Sequence, residues 1–166
     1  GGFVDEGEDP QSAAHRELCE ETGLQDLQSY ELGFFAHPER DPRGRVASMA
    51  FLVLAESDVS VAAGDDAKDA AWFRLKELPS LAFDHAEIIG RAIGHLRVST
   101  QVDTEALRLL PSSFRSKEAR HLYSQIWDRP IKPTEFKAWL RRRGVVKRVG
   151  PARFARTDAL HYDWLR

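Results

Sequence analysis

Seven positions among the first 23 residues restrict this chain more than anything after them: Gly2, Glu8, Arg16, Glu17, Glu20, Glu21 and Gly23, in the spacing Gly-x5-Glu-x7-Arg-Glu-Leu-Cys-Glu-Glu-Thr-Gly. Asp9 suits an N-cap, Pro10 suits the first helical position, and Gly23 supplies a stop, so a helix is predicted over 10–22. On that helix residues 17, 20 and 21 stand at i, i+3 and i+4, which puts three carboxylates on one face. Charges of one sign that close repel, and no lysine is spaced to offset all three. The cluster makes sense if it holds hard divalent cations, which prefer oxygen ligands. A merely solvated acidic face is the simpler alternative, but it leaves the upstream Gly, Glu and Arg spacing without a reason.

Composition narrows the class. The 166 residues are 42% apolar and 30% charged, ordinary for a soluble globular protein, which sets aside collagen, coiled coil and disorder. No apolar run approaches the ~18 residues of a membrane span. The single cysteine, Cys19, rules out an intramolecular disulfide and fits a reducing compartment. With no signal-peptide pattern at the start, a cytoplasmic protein without membrane association is expected. The net charge of -2 conceals a division: ten Lys+Arg stand against 21 Asp+Glu in residues 1–111, and fourteen against five in 112–166. Such asymmetry suggests two units with different partners, the acidic one suited to cations and the basic one to polyanions.

Strands are expected at 30–36 and 47–54, either side of the turn-rich stretch 37–44, with a third at 70–75. A helix is expected over 81–97, with Phe83, Ile88, Ile89, Ala92, Ile93 and Leu96 as its buried stripe and Asp84 as its cap. Residues 98–110 read as a connector. Beyond Pro111, a helix over 116–127 places Ala119, Leu122, Tyr123 and Ile126 on one face. A second helix follows from Thr134, its predicted N-cap, to Arg143 and is closed by Gly144; Phe136, Trp139 and Leu140 form its buried face. Residues 145–149 and 153–156 around Gly150-Pro151 read as a hairpin. Helix, turn, helix and hairpin, all basic, describe a winged helix-turn-helix.

The opening segment resembles the Nudix box, Gly-x5-Glu-x7-Arg-Glu-U-x-Glu-Glu-x-Gly-U with U aliphatic, at every defined position through Leu24. The resemblance implies an α/β/α sandwich, here apparently without the strands that precede the box, joined to the C-terminal winged helix. Domains are accordingly expected at 1–98 and 112–166, with 99–111 as connector. It implies metal ligation of Mg²⁺ or Mn²⁺ by Glu17, Glu20, Glu21 and the Gly1 carbonyl. Glu8 and Arg16 would brace the loop, with Gly2 and Gly23 at its tight turns. Catalysis would fall to Glu20 and Glu17, with Asp66 as a further acidic residue from a later loop and Asp69 as its rival. The implied reaction is hydrolysis of a nucleoside diphosphate derivative.

Residues 71–79 and the following Leu-Ala-Phe-Asp-His of 81–85 are similar to the closing segment of ADP-ribose-type Nudix domains. A Nudix domain joined to a basic winged helix resembles the Nudix-related regulators of NAD metabolism. In those an ADP-ribose-type ligand alters DNA binding, and the alternative expectation is therefore a sensor with little hydrolysis. Double-stranded DNA would be held by Lys137, Arg141, Arg142 and Arg143 on the second helix and by Lys147, Arg148 and Arg153 on the wing, with Lys132 and Arg156 as further candidates. A homodimer is expected by analogy.

Overall fold

The best-specified element is the first helix. In the computed structural model, which describes residues 1–56, 59, 70–102, 105–143, 146–151 and 153–156, α1 spans Pro10–Thr22. The Asp9 carboxylate accepts the Gln11 and Ser12 amides at 2.9 and 3.0 Å, satisfying two of the orphan donors at the helix start. Gly23 takes φ 73°, the left-handed conformation in which a residue without Cβ is unstrained, and its N–H closes the helix on the Cys19 carbonyl. Strands β1 (Ser29–Phe35) and β2 (Ser48–Val53) pair antiparallel, with an irregularity between Glu31 and Gly33.

The expected strand over 70–75 does not form: residues 70–74 are irregular, and a 3-10 turn follows at Leu75–Glu77. A short apolar run forms a strand only where a neighbour supplies its ladder, and among the described residues β1 and β2 pair only with each other. The next helix, α2, spans His85–Val102, starting later and running further than its periodicity suggests. Phe83 stands before it and is exposed rather than part of its buried stripe.

The chain forms two compact units: Gly1–Ala55 with Val59–Gly94, and Glu56–Asp58 with His95–Arg166. The second is built on β3 (Ser113–Arg115), α3 (Ser116–Ile126), α4 (Pro133–Arg143), β4 (Val146–Gly150) and β5 (Arg153–Arg156). Its sheet runs in the order β3-β5-β4, antiparallel throughout, and β3 has no counterpart in the sequence reading. Helix α4 begins at Pro133, so Thr134 lies inside the first turn and is not the N-cap; a proline is pre-shaped for that first position. Gly144, the expected stop, lies outside the described residues.

The second unit has a continuous apolar core of Ala106, Leu107, Leu110, Phe114, Ala119, Tyr123, Ile126, Phe136 and Leu140. Ala106, Leu107 and Leu110 thus belong to this core although they fall in the stretch read as a connector. Tyr123, Phe136 and Trp139 pack ring against ring with centroids 5.1–5.5 Å apart, each pair adding on the order of 1 kcal/mol beyond its buried area. Trp127 Nε1 donates to Thr100 Oγ1 at 2.8 Å, and Arg97 Nε to the Ile126 carbonyl at 2.8 Å, tying the end of α2 to α3. No described helix is long and apolar enough to cross a membrane.

Candidate functional site

Arg16 organises the acidic segment. Its guanidinium donates to both Glu8 oxygens at 3.1 and 3.0 Å, to Glu17 Oε1 at 2.8 Å, to Glu20 Oε2 at 3.3 Å and to the Phe3 carbonyl at 3.0 Å. One fork therefore offsets two of the three clustered carboxylates and fastens residues 3–8 against α1. The hydrogen bonds that Arg16 donates, chiefly to Glu8 and then to Glu17, hold its pKa above the ordinary value, and the bond to Glu8 lowers the Glu8 pKa. Glu8 also accepts the Asp5 amide at 3.1 Å, which closes the loop that precedes the helix.

Gly2 lies against the carboxylate of Glu17, in the space a Cβ would occupy. A side chain at that position would displace Glu17, which is the physical reason for a glycine there. Glu17 is mostly buried, whereas Glu20 and Glu21 are about half exposed. Glu21 Oε1 lies 2.5 Å from the Gly1 nitrogen. Among the described residues no three His, Cys, Asp or Glu stand as a ready metal cage. The donor chemistry nevertheless fits a hard cation: three carboxylates, each with an oxygen outside the Arg16 fork, beside a chain held close by a missing Cβ. Asp66 and Asp69 lie outside the described residues.

A second polar cluster in the same unit escaped sequence reading. Arg40 donates from Nε and Nη2 to the two Asp84 oxygens at 2.7 and 2.8 Å, and from Nη1 to Ser48 Oγ at 2.6 Å. Both partners are largely buried. Asp84 is therefore an ion-pair partner through its side chain, while its backbone carbonyl receives the Glu87 and Ile88 amides. Beside it the nearly buried Asp41 is held to a pKa of about 2 by Arg43, whose side chain and backbone N–H both donate to it. The Arg43 guanidinium lies 4.8 Å from the centre of the Phe83 ring. Partners 44 residues apart leave no local signal.

In the second unit Lys137, Arg141, Arg142, Lys147, Arg148 and Arg153 are all exposed, and the side chain of Arg143 lies outside the described set. Arg153 is partly engaged, donating to the Ser113 carbonyl and hydroxyl at 3.1 and 2.8 Å. Arg156 faces inward, bonding the Leu107 carbonyl at 3.0 Å and Glu56 at 2.7 Å, and so is structural rather than a free wing cation.

The NUDIX domain family model matches residues 1–92. An ADP-ribose pyrophosphatase of Methanocaldococcus jannaschii is 49% identical over 89 residues, covering 54% of this chain and 52% of that protein. The ADPR responsive transcriptional repressor NtrR of Acinetobacter baylyi is 25% identical over 159 residues, covering 93% of this chain and 64% of its own length. The chain thus spans between half and two thirds of these curated relatives. The crystal structure of a MutT/nudix family protein from Enterococcus faecalis superposes with a TM-score of 0.81 at 26% identity, covering 94% of this chain and 71% of that one.

Proposed function

Since the chain belongs to the NUDIX domain family, we propose that its first domain, 1–98, hydrolyses the diphosphate of ADP-ribose or a related nucleoside diphosphate derivative. The second, 112–166, is read as a winged helix that binds double-stranded DNA, with 99–111 joining them. The observation that carries the hydrolase reading is the carboxylate face of α1, braced by Arg16 and closed over by Gly2. A substrate named for a relative 49% identical over the same segment supports the choice of ADP-ribose.

Glu17, Glu20 and Glu21, with the Gly1 carbonyl, would hold Mg²⁺ or Mn²⁺. Bound there, such a cation neutralises a diphosphate and makes a water more acidic. The chain's own part is positional. Arg16 keeps Glu17 and Glu20 turned toward one another without consuming all their oxygens, and Glu8 keeps Arg16 in place. Glu20, half exposed, has Oε1 free to take a proton from an incoming water. Asp66 is the further candidate for that proton.

Incubation with ADP-ribose and Mg²⁺ should release AMP and ribose 5-phosphate, read by mass spectrometry. Glu20→Gln should lower kcat at least ~100-fold, the scale of a lost acid–base group, with the melting temperature unchanged. Undiminished AMP from that variant removes Glu20 from the reaction.

A sensing regulator is the second reading. The helix, strand, helix, helix and hairpin order with a β3-β5-β4 sheet, and the exposed cations of α4 and β4, favour it. So does the name of the repressor that matches along most of the chain. No AMP, together with a melting temperature raised by ADP-ribose, would select this reading.

A further inference from the structure

Arg43 and Phe83 form an exposed stack on the first unit. The Phe83 ring is 45% exposed, and the Arg43 guanidinium lies 4.8 Å from its centre. Asp41 fixes that guanidinium from the side, accepting Nε at 3.0 Å and Nη2 at 2.8 Å, while Nη1 has no hydrogen-bond partner among the described residues. With one edge on Asp41 and one face on Phe83, the exposed Arg43 side chain has its second face open. His85 meets the Phe83 ring edge-on, with centroids 5.8 Å apart.

The surroundings impose this arrangement. Phe83 takes φ 53°, a left-handed conformation that a bulky residue adopts only under constraint. Asp84, the next residue, is held by Arg40 through bonds of 2.7 and 2.8 Å, and Arg40 also holds Ser48 at the start of β2. One buried ion pair therefore staples the loop that carries Arg43 to the segment that carries Phe83. Burying such a pair costs desolvation that its attraction roughly offsets, so it contributes position more than stability. The ring on its strained backbone gains little burial in return.

A locked guanidinium backed by a phenyl ring is a surface for a flat partner, because arginine stacks on planar rings as well as pairing with anions. Helix α1 offers no such surface: its only ring is His15, which meets Ser29 Oγ at 2.9 Å, and its carboxylates suit a cation and a diphosphate. Phe3, Phe34, Trp72 and Phe73 are also exposed on this unit, but among the described residues none has a guanidinium over its face. Strand β2 packs against α1 and holds Arg40 through Ser48, so it supports both the carboxylates and the stack.

We propose that Arg43, backed by Phe83, is a stacking platform for the nucleobase of the substrate and sets a preference for a nucleoside diphosphate over a diphosphate without a base. The identity of the ligand rests on the hydrolase reading above; the platform rests on its own geometry.

AMP and ribose 5-phosphate, which differ by the base, are titrated into the isotope-labelled full chain while NMR follows the Arg43 Nε–H and the Phe83 amide. AMP should shift both signals and ribose 5-phosphate neither. Arg43→Lys keeps the charge and loses the plane, and should weaken AMP binding about 10-fold, the scale of one lost base stack. Phe83→Gly removes the ring and suits the left-handed backbone, so the fold is retained; it should weaken AMP binding roughly 3-fold. In the ADP-ribose assay both changes should act on KM rather than kcat, as lost uniform binding does. If Arg43→Lys loosens the fold through Asp41, Phe83→Gly decides alone. Equal shifts from ribose 5-phosphate, no shift from AMP, or AMP affinity that both changes leave intact overturns the platform and leaves the hydrolase reading standing. If the unaltered chain releases no AMP from ADP-ribose, the hydrolase reading fails instead, and the same titration decides the platform. Base-dependent shifts that are lost in the variants then keep it, as part of a nucleotide sensor.

Discussion

The two units of this chain are stabilised by different means. The second encloses nine buried residues in one apolar cluster, and its largest fully buried side chains are Phe114, Leu107 and Leu140. Among the described residues the first buries only Ala13, Phe35, Leu54 and Ala55 of its apolar side chains, together with Arg40 and Asp41. Phe3, Val4, Phe34, Met49, Trp72, Phe73, Leu75 and Phe83 stand exposed on that same unit. Its order comes from forked arginines instead: Arg16 on Glu8, Glu17 and Glu20, Arg40 on Asp84, and Arg43 on Asp41. Apolar burial is non-directional and fills space, while charge-assisted hydrogen bonds fix where particular oxygens point. A unit that must present carboxylates in a set geometry gains from the second kind of order.

The contrast can be broken at its strongest point first. Phe114→Ala empties the centre of the second core and should cost that unit about 4 kcal/mol. Thermal unfolding followed by Trp127 and Trp139 fluorescence reads the loss, and a change below about 1 kcal/mol would mean that the core repacks freely. Next in size, Asp84→Ala should cost the first unit roughly 2 kcal/mol by leaving the Arg40 guanidinium buried without its partner. The double change Arg40→Met with Asp84→Leu should recover most of that, since an apolar pair needs no counter-charge. Failure of the double change to recover would show that the pair sets the loop's path as well as its charge.

The smallest expected effect is the response to acid. Asp41, Asp84 and Glu8 all have pKa values lowered in the folded chain, by Arg43, Arg40 and Arg16 respectively. A group whose folded pKa is depressed stabilises the fold above its unfolded value of about 4 and loses that contribution as pH falls through the folded value. The first unit should therefore lose melting temperature between about pH 4 and the Asp41 value of about 2. The second unit, whose apolar core contains no carboxylate, should change less over that window. Arg43→Ala should flatten the dependence of the first, and an unaltered profile would remove Asp41 from the account.

Much of this molecule can be read from local rules. The cap at Asp9 and the stop at Gly23 mark α1, and alternation and turn residues place β1 and β2 within a residue or two of their observed ends. The face of α3 is legible because Ala119, Tyr123 and Ile126 recur at helical spacing. The expected strand over 70–75 failed because strand formation needs a paired neighbour, which a short apolar run does not announce. Strand β3 went unseen because three residues carry too little alternation, and only its pairing with β5 defines it.

By itself, then, the sequence determined the spacing of Glu17, Glu20 and Glu21 on one helix face, since positions within four residues are fixed by helix geometry alone. It also determined that the basic charge gathers after residue 111. The tertiary structure decided which charges are neutralised: that Arg16 takes Glu17 and Glu20, that Arg40 reaches Asp84, and that Arg156 turns inward to the Leu107 carbonyl. Those pairings depend on the path of the chain between distant residues. A side chain reaches whatever that path brings within about 3 Å, and no spacing rule extends so far.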